Sequence, residues 1–404
     1  MKKTSKNIIV SILALGFVVC GFNLGVLRSA GANAMQFFSD VKIYGISHSF
    51  KLATNNIEKS ISENLSYHDE MINLNSVFYR VTGTKVVKKD DLTVVRAKNG
   101  YLGNPRNKMS DEDLIWRGEN VKELGEIANK NGADFLYVMA PTKGYEMEYP
   151  SNVEDYTASN CDRFSKILEG KQVPFLNLIK TAGEEGISEE EMFFVTDHHW
   201  RPEKGIWASE KVCGYLSRNY GFKYDRSLWD MTNYNIDTYK DWFLGSQGKK
   251  VGVYFTPLGA DDINLVTPKF ATSLKEEQPA KELVREGSFE DLMYMDNISV
   301  KDHYGLNPYA TYSGGDFREQ IITNLNNPRG KTAIVIRDSF GCAFTPFFSL
   351  ALSKLYVTDV RDGGYVGEKL DMREYIEKIK PDYVIVLYTG VSGGDSLYTF
   401  VDNK

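Results

Sequence analysis

Cysteine and histidine are both scarce in this 404-residue chain, and each scarcity excludes something. The four cysteines, Cys20, Cys161, Cys213 and Cys342, form no C-x-x-C pair, which removes the usual zinc pattern. Cys161 and Cys213 fall in segments with helical spacing and read as small buried hydrophobes. Cys20 is a poor lipoprotein cysteine, because Val18 and Val19 replace the small residues needed before it. Basic clusters are missing beyond the extreme N-terminus, and the net charge is −6. A nucleic-acid partner needs a phosphate-facing basic surface, so none is expected. No segment repeats with a period of 20–50 residues, which excludes a solenoid or propeller. What remains is ordinary for a globular protein: 42% hydrophobic and 25% charged residues. The aromatic share of 13% serves a core first, although such faces also stack on sugar rings.

The N-terminus is the one long apolar stretch. Lys2, Lys3 and Lys6 precede an uncharged run of 20 residues, Ile8 to Leu27, closed by Arg28. A helix of that length just crosses a bilayer. The lysines would stay in the cytoplasm and place the rest outside. Ala32-Asn33-Ala34 offers a cleavage pattern, so residues 1–34 read as a membrane anchor or as a signal peptide. Both readings put the remainder at the cell membrane or beyond it, away from cytosolic cofactors, and none is expected.

Residues 35–89 read as a connector and an amphipathic helix, with Ile57, Ile61, Leu65 and Ile72 at helical spacing. The α/β pattern runs over 90–404. Asn99-Gly100 marks a hairpin between Leu92–Val95 and Tyr101-Leu102. Ser110 opens a helix over 111–131 as its N-cap, and Asn131-Gly132 ends it. Ala133–Met139 and Val173–Leu178 read as strands around a helix at 156–170. Met192–Val195 reads as a strand, and Pro202 opens a helix to about Arg218. Residues 219–300 break the rhythm and read as a β-rich insertion, with Val251–Phe255 as one of its strands. Alternation resumes with strands at Thr332–Ile336, Lys354–Val357 and Tyr383–Leu387, and helices at Ala343–Leu352 and Leu370–Ile379. Strand, helix, strand in succession implies parallel pairing.

Two clusters follow strand-like runs: Thr196-Asp197-His198-His199-Trp200 and Arg337-Asp338-Ser339-Phe340-Gly341. The first holds two of only five histidines. A serine, a histidine and an aspartate are the parts of a nucleophilic triad, recognised by geometry rather than chain order. Ser339 needs an adjacent base. At a strand-to-helix turn the helix N-terminus offers N–H groups to an oxyanion, and Gly341 lets backbone approach a substrate. The competing reading is that Asp338-Ser339 simply caps a helix. On extended backbone Asp197 and His199 share a face while His198 turns away. His199 would then be the base and Asp197 its orienting carboxylate, against the alternative of a buried histidine pair without chemical duty. A third reading is a divalent-metal site. The DHH phosphoesterases carry such a triplet, but they need upstream aspartates, and Asp111-Glu112-Asp113 is better explained as an acidic first turn. No metal is expected. Lys143, after a strand end, reads as solvated or as a contact for an anionic glycan.

Asp197-His198-His199-Trp200 with Asp338-Ser339-Phe340-Gly341 far downstream resembles the DHHW family of bacterial surface proteins and the related alginate O-acetyltransferases. Both resemble SGNH (GDSL-type) hydrolases with the aspartate and histidine ahead of the serine. Gly314-Gly315-Asp316 adds to the likeness. The resemblance implies an α/β fold: an SGNH-like parallel sheet flanked by helices, with the β-rich insertion and the N-terminal membrane segment. It implies Ser339 as nucleophile, His199 as base and Asp197 as its partner, with Trp200 packed beside them. Gly341, Gly315, Trp200 and Asp338 are expected around the oxyanion or substrate. His198 stands where the alginate enzymes carry threonine, as in the DHHW group. The function implied is an exported O-acetyltransferase for a cell-surface polysaccharide, with a membrane-bound O-acyltransferase as acetyl donor. A carbohydrate acetylesterase uses the same triad with water. A non-catalytic glycan- or partner-binding module is the remaining alternative, since no oxyanion asparagine is in evident place.

Overall fold

The computed structural model describes residues 67–89, 92–361, 369–391 and 393–401. The apolar run Ile8–Leu27, the cleavage pattern and the helical spacing from Ile57 to Leu65 lie outside them. Among the described residues no helix is long and apolar enough to cross a membrane. The chain divides into a unit ending at Phe78 and a unit Tyr79–Lys404. Helix α1 (His68–Val81) is what is described of the first and runs into the second.

Strands β1 (Val86–Lys89), β2 (Leu92–Arg96) and β3 (Leu102–Gly103) form a small antiparallel sheet. Gly100 takes φ +91° in the expected Asn-Gly turn, a conformation glycine adopts freely. Helix α2 (Asp111–Lys130) starts where Ser110 accepts the N–H of Asp113. It leads into β4 (Asp134–Ala140), helix α3 (Thr157–Gly170) and β5 (Phe175–Asn177). Helix α4 (Pro202–Tyr220) has proline in its first turn, where the missing N–H is not needed, and ends on Gly221 at φ +69°. Strands β6 (Tyr234–Phe243) and β7 (Asp261–Pro268) pair with each other. Strands β8 (Leu274–Gln278), β9 (Leu283–Gly287), β10 (Glu319–Asn324), β11 (Thr332–Arg337) and β12 (Lys354–Thr358) follow, then helix α5 (Met372–Ile379) and β13 (Tyr383–Thr389).

The main sheet has eight strands in the order β5-β4-β13-β11-β12-β10-β8-β9. The first five are parallel, and β10, β8 and β9 add antiparallel. The sheet is therefore mixed, which corrects the expected parallel one. Residues 219–300 are part of the reason, because their β8 and β9 complete its edge. Alternate residues of the central strands feed two cores, as the period of two requires. Leu136, Val138, Val335, Ile385 and Leu387 pack with Ile206, Val212 and Leu216 of α4. Phe135, Tyr137, Ile334, Val384 and Val386 pack with Leu124 of α2, Phe164 of α3 and Ile376 of α5.

Three further expectations fail for local reasons. Met192–Val195 is not a strand. Ser188 and Glu191 close a capping box that commits Glu189–Met192 to a helical turn. The loop that follows is closed by an isolated bridge, Phe193 to Trp200. Val251–Phe255 is likewise no strand, because Ser246–Val251 is a short helix ended by Gly252 at φ +88°. The helix expected over Ala343–Leu352 is a 3-10 turn (Ser339–Ala343) and a short helix (Thr345–Ser349) with Pro346 in its first turn.

Candidate active site

The carboxyl ends of three neighbouring strands, β4, β13 and β11, carry Lys143, Thr389 and Ser339. Such an edge is where α/β sheets place ligands. Arg337 ends β11, Asp338 caps the 3-10 turn and Ser339 is its first residue. Asp338 accepts the N–H of Phe340 (3.0 Å) and of Thr389 (2.8 Å), so its carboxylate ties the turn to β13. Burial pushes its carboxyl up to about 6, against these two donors.

The loop after Phe193 brings the other cluster to this turn. Ser339 Oγ lies 2.7 Å from His199 Nε2. His199 Nδ1 lies 2.5 Å from Asp197 Oδ1. Asp197 also accepts the N–H of His199 (2.9 Å) and of Ser246 (2.6 Å). Burial opposes its ionisation, but His199, His198 and these donors outweigh it and hold the carboxyl well below its ordinary range. Ser339 is partly exposed, whereas Asp197 and His199 are buried. The hydroxyl thus faces an accessible edge while its partners are shielded.

Two rings pack against the imidazole. Tyr309 stacks on His199 at 4.2 Å and 18°, and His198 lies 3.9 Å away on a tilted plane. The Tyr309 hydroxyl and the Trp200 indole N–H both donate to Phe340 O, fastening the loop to the nucleophile's turn. His198 remains beside its neighbour and lies 3.0 Å from Ser246 Oγ. Loss of hydration first, and His199 second, lower its pKa, so it stays neutral at pH 7.

Lys143 is neither solvated nor open to a glycan. It is buried, and its Nζ donates to Asp197 O (2.7 Å), Val195 O (2.9 Å) and Gln247 Oε1 (3.1 Å). Desolvation brings its pKa down to about 7. Buried Asp261 answers it by accepting the N–H groups of Val195 and Thr196 and the Thr196 hydroxyl. Together they clamp the backbone that carries Asp197. Asp261, Ser246 and Tyr309 are the site residues that sequence reading missed, and Lys143 was singled out for a different role. A lysine following Pro-Thr at a strand end was the only local signal.

The residues expected around the substrate divide. Trp200, Asp338 and Gly341 are buried, so they shape the turn and do not line its surface. A Cβ at Gly341 would come within 2.6 Å of the Arg337 side chain. The glycine therefore makes room for arginine, not for substrate. Gly315 stays partly exposed at φ +111°, and its carbonyl accepts from Arg337 Nη2 (2.6 Å). The pair of Arg337 with Asp316 fastens the same loop to β11.

Asp197, His198 and His199 also offer one ligand atom each within 4.8 Å of one another. His199, however, faces Asp197 with Nδ1 and Ser339 with Nε2, so an ion on this ring would displace one of them. The donor set fits proton transfer better than ligation.

Fold and site define an α/β protein with a serine–histidine–aspartate constellation at the carboxyl edge of its sheet. No family model matches the chain, and no curated protein does. Solved structures do. Bacillus cereus PatB1, determined with a sulfonyl adduct, aligns with a TM-score of 0.63 and 19% identity, covering 78% of this chain and all of that one. A DHHW family protein from Eubacterium siraeum aligns with a TM-score of 0.58 and 17% identity, covering 79% of this chain and 98% of that one. At these identities the likeness is one of fold, and it agrees with the resemblance carried by the two motifs.

Proposed function

We propose that this chain is an exported, serine-dependent O-acetyltransferase acting on a cell-surface polysaccharide. The observation that carries the reading is the aligned relay Ser339–His199–Asp197, at 2.7 Å and 2.5 Å. As acyl donor meets Ser339, His199 Nε2 takes the hydroxyl proton and Oγ forms the new C–O bond. Collapse of the tetrahedral intermediate breaks the donor's bond, and His199 returns the proton to the leaving group. In the second half a sugar hydroxyl gives its proton to His199 and attacks the serine ester. The acetyl group leaves on the sugar, and Ser339 is reprotonated. Asp197 stabilises the imidazolium in both halves. Gly314 or Gly315, as the resemblance implies, would supply an oxyanion donor together with the Ser339 N–H.

The acetyl source would be a membrane-bound O-acyltransferase, because activated acetyl groups are made in the cytoplasm. Lys2, Lys3 and Lys6 before the Ile8–Leu27 run support export or anchoring. The test is turnover of 4-nitrophenyl acetate by the full chain, with and without a bacterial surface glycan. Transfer requires acetylated glycan that depends on Ser339. Acetate release that glycan leaves unchanged identifies an esterase. A chain without Ser339-dependent turnover is a binding module.

A further inference from the structure

The carboxyl ends of β4 and β13 border a cavity of 190 Å³. Its ten lining residues include two arginines, Arg106 and Arg117, and no acid. Cys161 in the wall remains a neutral thiol, because burial pushes it up to about 12. Arg117 is buried, with its Nη atoms on Val391 O, Gly393 O and Asp395. Its Nε is also buried and has no hydrogen-bond partner among the described residues.

Arg106 is exposed and differs. Its backbone N–H is held by Asp155 Oδ1, which also accepts the Thr157 hydroxyl. Among the described residues no hydrogen bond to its guanidinium is found, although Tyr149 and Asp155 act on it electrostatically. It keeps its charge at any physiological pH.

Two hydrogen bonds connect the cavity wall to the residue before Ser339. Thr142 in its wall approaches Thr389 Oγ1 at 3.2 Å, and Thr389 N–H holds Asp338, the residue before Ser339. Arg106 also acts electrostatically on His198.

We propose that this cavity is an acceptor subsite taking an anionic substituent, a carboxylate or a phosphate monoester, carried by the sugar to be acylated. The Arg106 guanidinium is its ionic partner, since a planar fork of N–H donors matches such oxygens. Thr142, Thr157 and Asn160 supply the polar wall. This rests on the acyl-transfer reading. An anion seated here fixes which hydroxyl of the sugar reaches the serine ester, so the cavity governs choice of acceptor.

The experiment measures binding of glucuronate, glucose 6-phosphate and glucose to the full-length Ser339→Ala chain by calorimetry. One or both anions should bind and glucose should not, and which anion binds separates carboxylate from phosphate. Adding Arg106→Gln should weaken that binding about tenfold or more, as loss of a charged hydrogen bond does. Arg106→Lys, which keeps the charge, should recover part of it. Equal binding of glucose, or binding that Arg106→Gln leaves unchanged, overturns the subsite. Separately, a wild-type chain whose Ser339 takes no acyl group overturns the functional reading whatever the sugars do.

Discussion

At the scale of residues, the site depends on a hydroxyl held against an imidazole. Ser339→Ala should remove turnover of an activated acetyl ester down to background. Asp197→Asn keeps the shape but loses the carboxylate that orients His199, and kcat should fall on the order of 10³–10⁴-fold. Steady-state rates, with circular dichroism confirming an unchanged fold, check both. A subtler case is Gly245. A Cβ there would stand 2.1 Å from the Asp197 Cβ. Glycine is what lets the next N–H, of Ser246, reach that carboxylate. Gly245→Ala should push Asp197 aside, and a displacement near 1 Å lowers rate on the order of a hundredfold. Lys143→Met should likewise slow acylation of Ser339, since the Asp197 and Val195 carbonyls lose their donor. The Ser339, His199 and Asp197 constellation was legible from residue type and the i, i+2 spacing of the latter two. Ser246 and Tyr309 were not, nor was the backbone-clamping role of Lys143. Their partners are backbone groups or ring faces from elsewhere in the chain, and no local pattern encodes that.

At the scale of elements, the Ser339 turn is held by close packing and one charged tie. Gly341→Ala would press a methyl against the Arg337 side chain and should lower stability by about 1–3 kcal/mol, read by urea unfolding. Asp316 is the charged tie. Burial opposes its ionisation, but Arg337 and Arg361 outweigh burial and bring its carboxyl down from 3.8 to about 2. A folded pKa below the unfolded one stabilises above about pH 4, and that stabilisation is lost as pH falls through 2. The difference corresponds to about 2 kcal/mol. The stability gap between wild type and Asp316→Asn should therefore shrink between pH 4 and pH 2, and a constant gap would show that the charge is not involved. Element boundaries with capping residues, such as Ser110 and Pro202, were readable. Met192–Val195 misled because an apolar run of four fits a strand, while the capping box upstream decides for a helical turn.

At the scale of the whole molecule, five parallel strands make the edge that gathers Lys143, Thr389 and Ser339, and three antiparallel strands extend it away from the site. The parallel half was legible from strand–helix alternation. The antiparallel half was not, because β8 and β9 are half-polar strands inside the rhythmless 219–300 and β10 just beyond it is half-polar as well. The site is split between two stretches of chain, and only the assembled sheet brings them together.

The most direct measurement is mass spectrometry of the full chain quenched in acid during turnover of 4-nitrophenyl acetate. The account predicts one acetyl group, located on Ser339, absent from Ser339→Ala and strongly reduced in His199→Ala. Turnover with no acyl group on Ser339, or an adduct on Ser339 that forms equally fast without His199, would contradict it.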